Sequence, residues 1–470
     1  MRELTADYVI VGAGASALAF ADALLSETAA SMILVDRRGA PGGHWNEAYP
    51  FVRLHGPALM YGVESLPLGS ADIETGGLND GLLALAGADE IRAYFDRIMR
   101  ERLLPSGRVD YLPLHEWRSD GTALSRLDGA PVRLRARRKL VDATFADTRL
   151  PVSDPPPFAV GSGVRLVAPH ELPALAEPAD GYVVLGAGKT AMDTVVWLLE
   201  RGVAPHAITW VRPRDSWMIP RETVQLRLDF FEDTIGGVAR ELEIAGRAAS
   251  LEGLFRSLEA AGLMVRVDGA VEPSMFRCAI VSRAELAQMR RVVDVVRMGR
   301  VRALEAGRML LDGGEVRVGA GRVFVNCTAD GIPKNAPQPI FQDGRIVLQY
   351  VRRCAPCLSA AMVAAIEARV TDEAEKQRLV QPIPPPDEPR DWLRQQLLDA
   401  GNRKAFGEHP GLQRWLAGAR LDPWARLMAE AAAEGHPARL AILARIGAAA
   451  GPALANLAKL LSREEALAPA

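Results

Sequence analysis

A chain of 470 residues exceeds what one ordinary hydrophobic core organises, so two to four structural units are expected. With 49% hydrophobic and 24% charged residues it has a globular composition, and a formal net charge of −2 excludes general attraction to nucleic acid or anionic membrane. The four cysteines, Cys278, Cys327, Cys354 and Cys357, are no disulfide scaffold in so long a chain and fit a reducing, cytoplasmic setting.

The amino terminus, "MRELTADYVIVGAGASALAF", lacks a basic region leading into a signal-type apolar stretch. "DYVIV" (7–11) is short, rich in β-branched residues and stopped by glycine, which predicts a buried strand. A helical stretch follows over 15–26, with Leu18, Ala21, Ala23 and Leu25 apolar, and "SMILVD" (31–36) predicts a second strand. The turn between them sets Gly12, Gly14 and Ala17 in the spacing G-x-G-x-x-G/A. Gly12 permits the tight turn, Gly14 has no Cβ to block a pyrophosphate, and Ala17 lets the helix pack closely on the sheet. The helix N-terminus offers free N–H groups and a positive dipole end to phosphates. Asp36 is placed to accept from both ribose hydroxyls, and its charge repels a 2′-phosphate. The site therefore predicts an unphosphorylated ribose, as in FAD or NAD, with Arg37 adjoining.

Next comes "GAPGGHWNEAYPFVRLHGPALMYGVES" (39–65), unusually aromatic for a chain with 6% aromatic residues. "RLRARRKL" (133–140) reads as a solvated strand face, and the proline-rich "PVSDPPPF" (151–158) and "ELPALAEPADG" (171–181) as hinges. The strand–turn–helix–strand pattern then recurs: "GYVVLGAG" (181–188), a helix through "TAMDTVVWLLERG", and "AITWVRP" (207–213). Gly186, Gly188 and Ala191 repeat the glycine spacing, but no acid ends the second strand. Arg212 and Arg214 stand there instead, and a guanidinium fork suits a phosphate dianion, which favours NADP(H). Lys189 and Thr190 open the helix; Lys189 reads as an exposed helix-start lysine or as a phosphate contact.

"RVFVNCTADGIP" (322–333) closes the second unit and returns to the first, and "CAPC" (354–357) reads as core or structural thiols. No further Cys or His lies at zinc-ligand spacing, so no metal site is expected. "QPIPPPDEP" (381–389) separates an Ala- and Leu-rich tail of amphipathic helices. Their apolar faces require burial, over a substrate cavity or against a second subunit. No uninterrupted apolar run is long enough to span a bilayer. The expected architecture is α/β with two Rossmann-like dinucleotide-binding domains. An FAD domain (1–165 and 325–385) is interrupted by an NADP domain (166–324), and a helical C-terminal extension (386–470) follows. Two nucleotide sites on one chain have a simple chemical meaning: one holds a flavin and the other presents a nicotinamide that delivers hydride to it.

Several motifs resemble those of class B flavoprotein monooxygenases, the group of flavin-containing, Baeyer–Villiger and N-hydroxylating enzymes. Gly42, Gly43, His44 and Trp45 resemble the G-G-T-W element. Tyr49, Pro50, Arg53 and Tyr61 keep the spacing Y-P-x-x-R-x-D-x-x-S-x-x-Y of Baeyer–Villiger enzymes, with His55 where those carry Asp and the flavin-containing branch Asn. Asp193 matches the Asp of G-x-G-x-S-G-x-D, "RPRDSWMIP" is similar to R-x-x-x-W-x-x-P, and "CTADG", with Asp330, resembles the A-T-G element. The F-x-G-x-x-x-H-x-x-x-W/Y fingerprint is missing, and Ala191 replaces a glycine.

The resemblance implies FAD and NADPH as cofactors. It places Trp45 and Tyr49 against the isoalloxazine, and His55 near its C4a–N5 edge as a hydrogen-bond donor whose charge can change near neutral pH. O2 would add at C4a to give a hydroperoxide, which passes one oxygen atom to a small organic substrate. Arg53 pairs with a cofactor phosphate or only with a neighbouring carboxylate. Two other readings remain: an NADPH-dependent flavoprotein reductase that does not oxygenate, and a non-catalytic sensor that binds NADP(H) and FAD.

Overall fold

Both glycine turns leave the middle of a parallel sheet. The computed structural model describes residues 1–177 and 179–467; Pro178, inside the second expected hinge, and 468–470, at the end of the C-terminal extension, lie outside the described residues. In the first sheet the strand Arg2–Val11 runs between Met32–Val35 and Pro131–Asp142, parallel to both, with Val11 opposite Val35 and Asp142. Val109–Leu112 extends one side and Arg345–Val347 the other. In the second sheet Gly181–Leu185 runs between Ile208–Val211 and Arg322–Asn326, again parallel, with Leu185 opposite Val211 and Asn326. Leu166–Val167 and Val295–Val296 are its outer strands.

Each chain path leaves the central strand to one side and reaches its other side only later. The carboxyl end of each central strand is therefore a switch point, where diverging connections open a crevice. Strands of the second sheet all fall between 166 and 326, and the first sheet resumes with Phe341–Gln342 and Arg345–Val347. One sheet is thus inserted into the path of the other, within a mixed α/β fold.

The basic run behaves as a strand with one wet face. Val132 and Leu134 are buried while Arg133 and Arg135 are exposed. Lys139 departs from the pattern: it is buried, with Nζ 2.9 Å from Glu367 and 2.7 Å from Glu373.

The C-terminal helices Pro389–Glu408, Pro410–Gly418, Pro423–Glu434 and Pro437–Leu467 do not stand apart. Trp392, Leu393, Leu457 and Leu460 share a core with Trp217, Phe255 and Phe276 of the inserted segment. Leu427 and Ile442 join Phe231 and Ile235, and Phe406 and Leu412 enter the core of the first sheet. Each such side chain contributes about 1.5–3 kcal/mol when fully buried, so the large apolar side chains named here find their burial within the chain. One expectation is corrected here. Pro437–Leu467 is long and apolar enough, by length and composition, to cross a membrane. Its apolar character is spread over alanines and interrupted by Arg439, Arg445 and Lys459, so no single run reveals it. Its buried positions are Ile442, Ala453, Leu457 and Leu460; the alanines between them mostly face outward.

Candidate functional site: two glycine turns and the seam between them

Gly12 adopts φ +103° and donates its N–H to Val35 O at 2.8 Å, turning the chain sharply off the first strand. Gly14 is the N-cap of the helix Ala15–Glu27. Against it lies Gly43, where an added Cβ would stand 3.0 Å from Gly14 Cα in a left-handed backbone (φ +60°). Gly42, also left-handed, donates its N–H to Ala13 O at 2.8 Å. The double glycine lets two stretches of backbone touch. Asp36 is buried at the strand end, accepting from the Ala13 N–H (2.6 Å) on Oδ2 and from the Arg38 N–H (2.7 Å) on Oδ1. These groups line a cleft of about 840 Å³, open mouth included, bordered further by Arg38, Tyr61, Thr144, Gln349 and Tyr350.

The aromatic stretch forms one flank of this cleft. Trp45 Nε1 donates to Tyr61 OH (2.8 Å), with the rings edge-on at 6.1 Å. His44 borders the cleft; burial, then the Arg38 charge, lower its pKa to about 4, so it is neutral at pH 7. Arg420, from the C-terminal extension, donates to the carbonyls of Leu59 (2.8 Å) and Tyr61 (3.1 Å) and holds the stretch from outside.

The second turn is tighter. Gly186 has φ +124°, and an added Cβ would meet Cys327 O at 2.5 Å. Its own carbonyl accepts from Trp210 Nε1 at 2.8 Å. Gly188 is the N-cap of the helix Lys189–Glu200, with nothing within 4 Å of an added Cβ. Lys189 is paired with Asp193 one helical turn on. Arg212 is buried over the Trp210 ring (4.8 Å), with Nη1 3.1 Å from Asp215; Nε and Nη1 make no hydrogen bond. Arg214 binds Asp387 Oδ2 at 2.9 Å. Arg277 and Lys334 converge on the same carboxylate, and their hydrogen bonds hold Asp387 well below the usual carboxylate range against the opposing effect of burial.

Between the turns runs a polar seam. Tyr49 OH donates to Asp193 Oδ2 at 2.7 Å, tying the aromatic stretch to the second nucleotide helix. Burial raises the Asp193 pKa although Lys189 and Tyr49 oppose it. His55 Nδ1 accepts from the Ile280 N–H at 3.1 Å, and its carbonyl accepts from Arg221 Nε at 2.9 Å. Arg221 is itself buried and paired with Glu285 at 2.8 Å.

No protein-family model matches the chain. A protein of Mycobacterium tuberculosis that carries no functional name is 44% identical over 427 residues, which cover 91% of this chain and 79% of that protein; a Mycobacterium bovis protein matches to the same extent. The chain belongs to their family. Among solved structures, a caprolactone-bound cyclohexanone monooxygenase aligns with 92% of this chain and 99% of its own, at 13% identity and a TM-score of 0.50. A flavin-containing monooxygenase from Stenotrophomonas maltophilia aligns with 78% of this chain and 98% of its own, at 16% identity and a TM-score of 0.46. The chain shares its fold with that cyclohexanone monooxygenase.

Within this fold the expected residues divide. Gly12, Gly14, Asp36, Gly43, His44 and Tyr61 all line the cleft. Ala17 is fully buried in the helix behind it. Arg37 is half-exposed and pairs with Asp147 at 2.8 Å, whereas Arg38, which sequence reasoning passed over, lines the cleft. The chain bends after Asp36, whose Oδ1 accepts from the Arg38 N–H, and this turn carries Arg38 back beside the carboxylate; an Asp two residues ahead of an arginine was the available signal. Arg53 resolves toward its carboxylate option, with Nη1 3.1 Å from Glu74 Oε2. Thr190 sits in the first turn of the second helix and Asp330 pairs with Arg277 at 2.9 Å, both away from the cleft lining. His55 is at the seam, and its expected charge change near neutral pH does not hold: burial, then the Lys189 and Arg221 charges, lower its pKa to about 3. The "CAPC" thiols also part. Cys357 is a buried free thiol, while Cys354 is bonded to Cys278.

Proposed function

We propose that the protein is an FAD-dependent, NADPH-consuming monooxygenase acting on a small organic substrate with O2. The observation that carries this reading is the Gly14–Gly43 backbone contact beside the paired Asp36 carboxylate. It makes a cradle that a Cβ on left-handed Gly43 would crowd, at the N-terminus of a helix whose first N–H groups have no intrahelical partner. Gly12, Gly14, Gly43 and Asp36 would hold FAD, with Tyr61 and Tyr350 supplying aromatic walls; Trp45, expected against the flavin, does not line the cleft and holds Tyr61 through its 2.8 Å hydrogen bond. Gly186, Gly188 and Arg212 would hold NADPH; Arg212 Nε and Nη1 make no hydrogen bond although Nη1 pairs with Asp215, so a phosphate there would find donors to spare. Bound FAD supplies the two-electron acceptor for hydride and the centre that activates oxygen.

The chain's own residues position and exclude. Tyr49 fixes Asp193, and through it the second nucleotide helix, relative to the flavin-side stretch. His55, neutral with Nδ1 occupied, keeps only an Nε2–H donor, so it offers a hydrogen bond without a charge. Arg420 clamps the 59–63 segment, and with it Tyr61 at the cleft wall.

The purified chain is expected to be yellow, to bleach on anaerobic addition of NADPH, and to consume NADPH with stoichiometric oxygenated product when amines, sulfides and ketones are screened. A colourless chain that takes up no added FAD overturns the reading. One observation favours a second reading, a reductase passing electrons to another acceptor: His55 is tied to Ile280 and does not line the cleft. Rapid mixing of the reduced protein with oxygen separates the two, because a reductase gives no long-lived oxygenated flavin spectrum.

A further inference from the structure

Three parts of the chain, distant in sequence, meet at one sulfur pair. Cys278, in the strand Met275–Val281, and Cys354, just ahead of the helix Pro356–Arg369, are joined in a disulfide across 76 residues, with Cα atoms 6.5 Å apart. That separation is within the range disulfides span. Gln395, buried in the helix Pro389–Glu408, brings Oε1 to 3.8 Å from Cys278 Sγ and 3.9 Å from Cys354 Sγ. Access to the two cysteines differs: Cys354 is exposed and Cys278 buried. The other cysteines, Cys327 and Cys357, are buried with thiols pushed up to about 12 by burial, which makes them poor nucleophiles.

We propose that Cys278 and Cys354 form a reversible redox pair, oxidised by hydrogen peroxide, that clamps the strand Met275–Val281 onto the helix bordering the flavin-side cleft. Cys354 is exposed and stands just ahead of the positive end of a 14-residue helix, so it is the sulfur of the pair that peroxide reaches, as its thiolate. That thiolate attacks one peroxide oxygen; the O–O bond breaks, and the departing hydroxide takes a proton to become water. The sulfenic acid left on Cys354 is attacked by Cys278 sulfur; the S–S bond forms and the S–O bond breaks. The second hydroxide takes the proton that Cys278 gives up. Two thiols lose two electrons in total, and one peroxide becomes two waters. A dithiol reductant reverses the change by exchange, and Gln395 Oε1 then accepts from both S–H groups.

The bond matters because of what adjoins each sulfur. One residue before Cys278, Arg277 holds Asp387, and two after it Ile280 holds His55. On the other side, Tyr350 and Pro356 border the cleft. Both cysteines have left-handed backbone, φ +54° and +48°, shared among the described residues by one other non-glycine residue, Leu114. A bond between them holds both in a conformation that side-chained residues rarely adopt. Reduction lets each relax and slackens the seam.

The test uses the full chain as purified. It is reduced, freed of reductant, exposed to stoichiometric hydrogen peroxide, alkylated after unfolding and digested. The expected product is a linked peptide pair containing Cys278 and Cys354, with Cys327 and Cys357 alkylated. Hydrogen exchange across 275–281 and 350–356 is expected to be about threefold slower in the oxidised than in the reduced protein, and equal in the two states of C278S and C354S. A Cys354–Cys357 link, sulfinic acid on Cys354 without a link, or equal exchange in the two wild-type states overturns the proposal. Should either variant fail to fold, the wild-type comparison still decides. Flavin content is read separately from absorbance, so its loss counts against the proposed function and not against the redox pair.

Discussion

The two glycine turns share one sequence pattern and differ in what they leave free. At the first, the backbone of Gly14 meets the backbone of Gly43 and a cleft opens beside them, with Asp36 oriented by two N–H donors. At the second, the charged groups are already matched by the chain's own carboxylates: Lys189 by Asp193, Arg212 by Asp215, Arg214 by Asp387. A ligand at the first turn meets preorganised donors. One at the second must displace or share existing ion pairs, and so forgoes part of its electrostatic gain. That contrast fits a resident cofactor on one side and a nucleotide that exchanges every turnover on the other.

The largest expected effect tests how closely the second turn is packed. Gly186→Ala places a Cβ 2.5 Å from Cys327 O at a φ of +124°. It should destabilise the chain by about 3 kcal/mol or more, read as a lower urea midpoint. Gly188→Ala meets nothing within 4 Å and should leave the midpoint unchanged. Equal midpoints for the two variants would remove the claimed difference between these glycines.

At the first turn, Gly43→Ala pushes against Gly14, and Asp36→Ala strands the Ala13 and Arg38 N–H groups. Each should weaken FAD retention by about tenfold, the cost of one or two buried hydrogen bonds or a comparable clash. Flavin content after gel filtration measures it, and full retention in both variants would count against the cradle.

The arginines sharpen the second half of the comparison. Arg212→Ala should erode the preference for NADPH over NADH by roughly tenfold, since charge-assisted contacts to phosphate are at stake. Arg214→Ala should change it by less than about threefold, because that guanidinium is committed to Asp387. The ratio of kcat/KM values decides, and the reverse order would make Arg214 the phosphate reader.

Both parallel units were legible in the sequence because the information is local: β-branched runs, glycine spacing and helical periodicity within about 35 residues. What was not legible is long-range. Gly43 was visible as part of a motif, but its contact with Gly14 depends on two loops folding over one another. Arg37 and Arg38 are adjacent and chemically alike, and only the bend that Asp36 makes with the Arg38 N–H decides which reaches the cleft. The Cys278–Cys354 bond joins residues 76 apart, and nothing in the local spacing of "CAPC" points to so distant a partner. The tail's amphipathic pattern showed that burial was required, and the partner, Trp217 and Phe255 of the inserted segment, emerges only from tertiary packing.

The last effect concerns acid. His44 and His55 flank the two halves, and burial holds their folded-state pKa values at about 4 and about 3. In the unfolded chain both titrate near the ordinary value, about 6.5. Below that pH the unfolded state takes up protons that the folded state refuses, so their contribution is complete above about 6.5 and is lost as pH falls toward 4 for His44 and 3 for His55. Each histidine adds at most about 1.4 kcal/mol per pH unit to the slope. His55→Gln keeps an acceptor for the Ile280 N–H while removing the titration, so its urea midpoint should fall less steeply between pH 6.5 and pH 5 than that of the wild type. An unchanged slope would mean that His55 is solvated and charged in the folded protein, and that the seam beside the second turn is as open as the first cleft.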